Sequence, residues 1–589
     1  MNWRTKAENK FESFSDWLYD NATKAILIVV LFVGALGSQL PTLKMDTSTE
    51  GFLHKTNPMR IEYDVFRDQF GRDEKLMIAV KTDSIFNLGF LKKLDNFHSV
   101  LEDELPHIKG VDSLINARNT FGIEGELIVE PLIDDLPETQ EDMSRLRSTI
   151  TNNSFYKNLL YSEDFTMTTV TIDTQTYSNA EAISEDVNID FDEFLDFDEF
   201  LDFDAEAQVD QSGPRLYLSD AENDEIILKT QQIMERFNDD NFEIYLSGSA
   251  AIAGIFKQAL MNDAVVFISL MMVIIMIVLY ALFRRISGVF LPLICVGLTL
   301  ITTVSLMAIF SAPFTMATQI MPTFLLAVVT SAAIHLLAIF YKDLMRTKDK
   351  KASLRYAMGH SGLAIVMTSL TTAAGLWSFS FSGVAPVADL GVFASSGVLV
   401  GLLFTLVFLP ALIAKTNFAH LEQKSDVEGN TLMDRVLLGI SKIGTGRPKL
   451  IVAISAILII FAAVVATQLR FSHFPLQWLP EDNFARVATE TVDENLAGAL
   501  TLEVVVDTGK TNGLYNPELL RKIDDVSENI DSITSGNMFV GKVISFIDII
   551  KETNKALNEN REEYYSIPDN PDLIAQEFLL FESSGNGDL

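Results

Sequence analysis

Five apolar stretches stand nearly back to back between residues 264 and 414. They are AVVFISLMMVIIMIVLYALF (264–283), GVFLPLICVGLTLITTVSLMAIF (288–310), MATQIMPTFLLAVVTSAAIHLLAIFY (316–341), GLAIVMTSLTTAAGLWSFSFS (362–382) and ADLGVFASSGVLVGLLFTLVFLPALIA (388–414). At about 1.5 Å per residue, a run of roughly 20 apolar residues crosses a hydrocarbon core of about 30 Å. A lone run precedes them, KAILIVVLFVGALGSQL (24–40), and another comes after, LIVAISAILIIFAAVVATQ (450–468). The pattern predicts a polytopic α-helical membrane protein: one span, a five-helix bundle over 263–414, then a seventh span. The first run has an acidic, aromatic leader and no small-x-small cleavage site, so it reads as a retained anchor and not a removed signal peptide. Residues 1–23 place Phe11, Phe14, Trp17 and Leu18 at helical spacing among charges, which predicts an amphipathic helix on the cytoplasmic surface.

The polar stretches keep other periods. Within 41–262, LMIAV (76–80), MTTVTI (167–172) and FEIYLSG (242–248) read as strands. Residues 86–105, 139–150 and 220–237 read as helices. Alternation of this kind predicts α+β layers of the ferredoxin-like, split βαβ type. An internal repeat then emerges. MDTSTEGFLHKTNP (45–58) comes after the first span and FSHFPLQWLPEDN (471–483) after the seventh; both lead to strand-like runs, LMIAV (76–80) and LEVVVD (502–507). Residues 469–589 thus read as the start of a second outer domain. The repeat predicts a second half like the first, and a restart with no second helix cluster reads as a truncated frame, the alternative being a half-protein completed by another chain.

Charge sets the orientation. Arg284 and Arg285, then Lys342, Arg346, Lys348, Lys350, Lys351 and Arg355, then Lys415, Lys424, Arg435, Lys442, Arg447 and Lys449 fall on alternate connections, 415–449 being a linker. The connections at 311–315 and 383–387 carry no charge. This positive-inside bias places the N-terminus in the cytoplasm and 41–262 outside. That outer stretch holds 45 acidic against 18 basic residues, the wrong sign for a nucleic-acid partner. Its repeat FDEFLDFDEFLDFD (191–204) advances Phe every third residue, which draws no straight stripe on a helix; it reads as an acidic, disordered insertion, with calcium binding or partner docking as the alternatives. The single Cys295 excludes an intrachain disulfide and a thiolate metal cluster.

Candidate chemistry lies in the spans, where an ionisable or hydroxyl-bearing residue needs a reason. His335 is the one titratable side chain well inside the fourth span, and Ser331 lies one turn away on the same face. It either exchanges a proton or hydrogen-bonds a backbone carbonyl. Asp263 and Asp389 suit the positive N-terminal ends of spans two and six, as caps or as functional carboxylates. Thr368, Ser369, Thr371 and Thr372 either pack the fifth span or line a polar path beside His335. Gly391, Ala394, Ser395, Gly397 and Gly401 permit close helix approach. No phosphate-binding Gly-rich loop with Lys-Ser/Thr, no His-Glu-x-x-His and no Cys-x-x-Cys occurs, so the chain reads as non-enzymatic, without a cofactor or metal.

Taken in order, these pieces resemble the RND superfamily. LFRRISGVFLPL (282–293) looks like its Phe-Arg loop and Pro-bearing third span. IHLLAIFY (334–341), TSLTTAAG (368–375), Pro386, Leu390-Gly391 and LPALI (409–413) fit the fourth to sixth spans, and NPMRIEYDVFRDQFG (57–71) the opening of the outer domain. The branch is similar to MMPL-type exporters, which are related to hopanoid transporters and to the sterol-sensing bundles of Patched and Dispatched. The resemblance implies extracytoplasmic porter domains, a bacterial inner membrane, a dimer or trimer, and export of lipid-like or hydrophobic compounds driven by protons or another ion. In many relatives an Asp in the fourth span carries the proton; here that position falls on Ser331 or Ala332, and 316–341 holds no acidic residue. A non-pumping, sterol-sensing-like scaffold that binds lipid or a partner is the alternative.

Overall fold

The computed structural model describes residues 3–583 apart from 47, 49, 73–74, 124–125, 179–216, 419–431, 470–474, 497 and 536–537. The acidic repeat at 191–204 lies outside the described residues. Two compact units divide the chain: residues 1–57 with 259–475, and residues 58–258 with 476–589.

Among the described residues, seven helices are long and apolar enough to cross a membrane. After α1 (Trp3–Asp20) come α2 (Ala22–Gly37), α7 (Ser249–Phe283), α8 (Ile286–Ile309), α9 (Met321–Thr347), α10 (Lys350–Trp377) and α11 (Ala385–Leu403). The last runs through a π-helical turn, Phe404–Phe408, into α12 (Leu409–Lys415). Pro410 has no N–H to return to the carbonyl four residues back, and the ladder widens just ahead of it. Beyond α13 (Leu432–Gly446), α14 (Pro448–Ala466) forms the seventh span, with none of its residues buried.

The bundle closes on α9, whose Leu326, Val329, Ala333, Leu336, Leu337 and Phe340 share a core with Val29 and Val33 of α2, Cys295 and Val296 of α8, and Phe404 and Phe408. Small residues of α11 make the close approach possible. A Cβ on Gly397 would stand 2.7 Å from Leu325 Cδ1 and 2.9 Å from Thr303 Oγ1, and one on Gly401 2.4 Å from Val329 Cγ2. Hydroxyls buried between the helices satisfy themselves: Thr299, Thr302, Thr303 and Ser305 donate to the carbonyls four residues back at 2.7–2.8 Å. The N-terminal helix is amphipathic as expected. Phe11 and Glu12 pack on Gly362 and Gly359 of α10, and Arg355 and Lys351 pair with Glu12 and Asp20 at 3.1 and 2.7 Å, while Trp3 and Trp17 stay exposed.

The second unit opens with α3 (Pro58–Phe70). It continues through β1 (Leu76–Lys81), α4 (Leu88–Glu104), β2 (Ile108–Ser113), β3 (Arg118–Ile123), β4 (Glu126–Pro131), α5 (Gln140–Asn152), β5 (Met167–Thr174), α6 (Asp220–Phe237) and β6 (Glu243–Ser247). The sheet order is β2-β5-β1-β6, every pairing antiparallel, with β3-β4 a separate hairpin inserted after β2. Alternation along β1 divides the faces: Leu76, Ile78 and Val80 enter the core with α4 and α6, whereas Ala79 faces the other way. The three expected strands and three expected helices are present. Helix α3, β2 and the β3-β4 hairpin escaped the pattern; Lys109, Gly110, Asn119 and Gly122 interrupt the apolar alternation of the strands.

The opposite sheet face is covered by α15 (Phe484–Leu496), whose Val492 and Leu496 join Ala79 and Met167. That helix exposes the repeat. The turn Glu50–Phe52 and α3 recur as the turn Pro475–Trp478 and α15, each landmark 426 positions on: Phe52 and Trp478, Pro58 and Phe484, Phe70 and Leu496. Arg60–Asp64 recurs as Arg486–Glu490, an i,i+4 ion pair at 3.5 and 2.9 Å. The strand expected at 502–507 does not form. The segment occupies the position of β1, but it pairs with no strand among the described residues, and Leu502, Val504 and Val505 are exposed. A β-rich sequence needs a partner edge before it becomes a strand. The chain then forms α16 (Pro517–Asp531), a short Thr534–Phe539 hairpin, α17 (Phe546–Leu557) and α18 (Pro571–Ser583).

Gly397→Val and Gly401→Val should each cost about 1–3 kcal/mol through overpacking, read as a lowered thermal midpoint in detergent, whereas Gly297→Ala, with nothing within 4 Å, should not. Glu577 is 1% exposed with neither carboxylate oxygen bonded, and burial pushes its carboxyl from 4.5 up to about 8. A raised carboxyl destabilises the fold increasingly as pH rises from about 4.5 to about 8, reaching on the order of 3 kcal/mol at pH 7. Glu577→Met should flatten that decline in a thermal-midpoint titration.

Candidate functional site

The expected residues separate into three groups. His335 and Ser331 keep their shared face, but that face, with Ala327 and Ala338, is exposed and lies opposite the buried side of α9. No hydrogen bond or ion pair engages His335 among the described residues. Thr368 and Thr371 are exposed on α10 and spend their hydroxyls on their own helix: Thr368 donates to Ala364 and Ile365 at 3.0 Å, Thr371 to Met367 and Thr368 at 3.0 and 2.9 Å. Ser369 is buried and Thr372 half-buried, and no hydrogen bond joins any of the four to His335.

For Asp263 the structure corrects the expectation of a helix N-terminus. Helix α7 starts at Ser249, so Asp263 sits several turns inside it, exposed and beyond the reach of the terminal dipole. The apolar run begins at 264, but the helix reaches back through GSAAIAGIFKQALMN, a sequence rich in good helix formers.

Asp389 does sit near a terminus, in the second turn of α11, half-buried. Among the described residues its carboxylate makes no hydrogen bond and no ion pair. His54, from the chain that leaves the first span, is held near the start of the same helix. Two backbone clamps hold that connector to the bundle. Met45 bridges Phe314 in parallel, with Asp46 N–H donating to Phe314 O at 3.1 Å, and Leu53 bridges Val384 antiparallel. His54 itself contacts Ser382 O through Nε2 at 3.1 Å. A carbonyl only accepts, so Nε2 carries the hydrogen and donates it. Sequence reasoning misses His54 because 335 positions separate it from Asp389; its one signal is a histidine in the polar turn just after a span. No group of three His, Cys, Asp or Glu among the described residues could hold a metal ion.

The bundle and the connection before it also carry the likeness to known proteins: residues 208–431 match the MMPL family. Over that stretch, less than half of its length, the chain is similar to the MMPL family. The MMPL match begins in the 179–216 stretch, ahead of α6, and ends in the linker after α12, so it includes Asp389 and His335 but not His54. Over 186 residues the chain is 26% identical to the mycolic acid-containing lipids exporter MmpL11 of Mycolicibacterium smegmatis, 31% of this chain and 20% of that one. It is 20% identical over 406 residues to the putative membrane protein MJ1562 of Methanocaldococcus jannaschii, 66% of this chain and 88% of that one. The match thus spans one fifth of the mycobacterial exporter and most of the archaeal protein.

Because the Thr368 and Thr371 hydroxyls bond only within α10, Thr368→Ala and Thr371→Ala should stay within about 0.5 kcal/mol of the parent in thermal unfolding. A loss several times larger would mean that they hold a neighbouring helix.

Proposed function

We propose that this MMPL-type protein is a secondary transporter, not an enzyme, that moves lipid-like or hydrophobic compounds outward at the expense of a proton gradient. The observation that carries the reading is the MMPL match on a bundle whose sixth span holds a half-buried carboxylate, Asp389, with no hydrogen bond or ion pair among the described residues. A carboxylate among apolar spans is costly, and binding a proton gives it a use. Support for a lipid-like substrate comes from the lipid exporter that the chain resembles. The outer sheet, with order β2-β5-β1-β6 and helices α4 and α6 on one face, supports a ferredoxin-like porter domain that takes up the compound. We place the protein in a bacterial inner membrane with its N-terminus in the cytoplasm, working as a homo-oligomer. Direction and orientation rest on the positive-inside bias.

One observation favours a second reading, a lipid-binding scaffold of the sterol-sensing kind that does not pump. The fourth span holds no acidic residue, and its His335 lies on an uncovered face.

The test is the full chain in proteoliposomes under an imposed pH gradient, with fluorescent phospholipid and cationic amphiphile reporters. Gradient-dependent reporter movement, absent without protein, is expected. Lipid bound without movement across the panel would replace the transporter with the scaffold.

A further inference from the structure

The charges of α1 are sorted by side. Each of its four acidic residues is engaged: Glu8 with Arg4 at 2.9 Å, Glu12 and Asp16 with Arg355 at 3.1 and 3.7 Å, and Asp20 with Lys351 at 2.7 Å. Three of these pairs run to α10, on the side where Phe11 meets Gly362 and Leu18 shares a core with Ala22, Ala25 and Ala411. The other cations of the helix, Lys6 and Lys10, make no ion pair among the described residues. Both are exposed, in line with three exposed aromatic residues, Trp3, Phe14 and Trp17. At about 100° of turn per residue these five positions fall within about 80° of one another, and Glu12 stands opposite. The Phe14 and Trp17 rings stack, their centroids 6.1 Å apart.

Such a face suits neither water nor hydrocarbon. Three bare rings are costly in the first and two ammonium groups in the second. It suits the boundary between them, where aromatic rings rest at headgroup depth and lysines lay their stems on apolar surface with the charge outward. The chain leads to that boundary. Asn21 alone separates α1 from α2, a helix of span length whose Leu27, Ile28 and Leu31 are exposed and whose first turn adds an exposed Lys24. With the acidic side chains turned away and paired, the exposed face presents its lysines without a neighbouring carboxylate to repel a phosphate.

We propose that the Trp3–Trp17 face of α1 binds anionic phospholipid in the leaflet on the N-terminal side of α2, with its rings in the interfacial layer and Lys6 and Lys10 on headgroup phosphates. Because Glu12, Asp16 and Asp20 are bridged to Arg355 and Lys351, the lipid that holds α1 also holds the start of α10 at the surface. The proposal needs α2 to span a bilayer and goes beyond the transporter reading, on which it does not depend.

The test uses the full chain in liposomes with Trp377→Phe and Trp478→Phe, which leaves Trp3 and Trp17 as the only tryptophans. Phospholipids brominated on their acyl chains quench indole fluorescence on contact. Quenching is expected in bilayers of brominated phosphatidylcholine and of brominated phosphatidylglycerol. In mixtures with one lipid brominated at a time, phosphatidylglycerol should be favoured by about fivefold or more at low salt, and by less at high salt. Lys6→Gln combined with Lys10→Gln should bring the preference to within about twofold of unity, with quenching in pure brominated phosphatidylcholine unchanged. Fluorescence indifferent to brominated lipid would mean that water or protein covers the face, and overturns the proposal. A parent chain without preference for phosphatidylglycerol, or a preference that survives the double substitution, overturns the role of the two lysines.

Discussion

A hydrocarbon interior offers no water to a stranded polar atom, and the membrane unit is shaped by that condition. Helices satisfy the backbone. Side-chain hydroxyls on α8 return to carbonyls of their own turns, and those on α10 do the same even where they face outward. Where two helices must come closer than side chains allow, α11 supplies glycine, and Leu325 and Val329 of α9 occupy the space. Against this background the Asp389 carboxylate stands out, half-buried and without a hydrogen bond or ion pair among the described residues, while the connector that carries His54 is clamped to the bundle at two points.

The same condition made the spans legible in the sequence. Seven apolar runs read as spans from hydropathy alone, and the structure has seven helices long and apolar enough to cross a membrane among the described residues. Strand and helix periods in 76–248 were strong enough to give three of the four strands of the sheet, whereas β2 and the β3-β4 hairpin, with polar and glycine residues in their strands, were not. The duplication was visible as a resemblance between two exits from the membrane. Its constant offset, and the recurring Arg60–Asp64 and Arg486–Glu490 pairs, needed coordinates. LEVVVD failed as a strand because pattern reports what a segment can become, and pairing decides what it is.

Sites were harder than spans for a related reason. His335 was conspicuous because it is a titratable side chain inside an apolar run, yet burial depends on which face the neighbours cover, and hydropathy is blind to that. Asp263 was misjudged because a helix can begin long before its apolar part does. Asp389 was visible, but the connector that His54 sits on was not: no local pattern links residues 54 and 382. The family match and the lipid-exporting relative say what the chain is similar to.

In the proton-driven transporter proposed, reporter and proton movements are one process. The most direct measurement of that coupling reverses the usual one: liposomes of equal pH on both sides, a pH-sensitive dye inside, and a concentration gradient of lipid reporter as the only driving force. Coupled exchange predicts a dye response opposite in direction to the reporter flux. Reporter flux with a constant internal pH would contradict it.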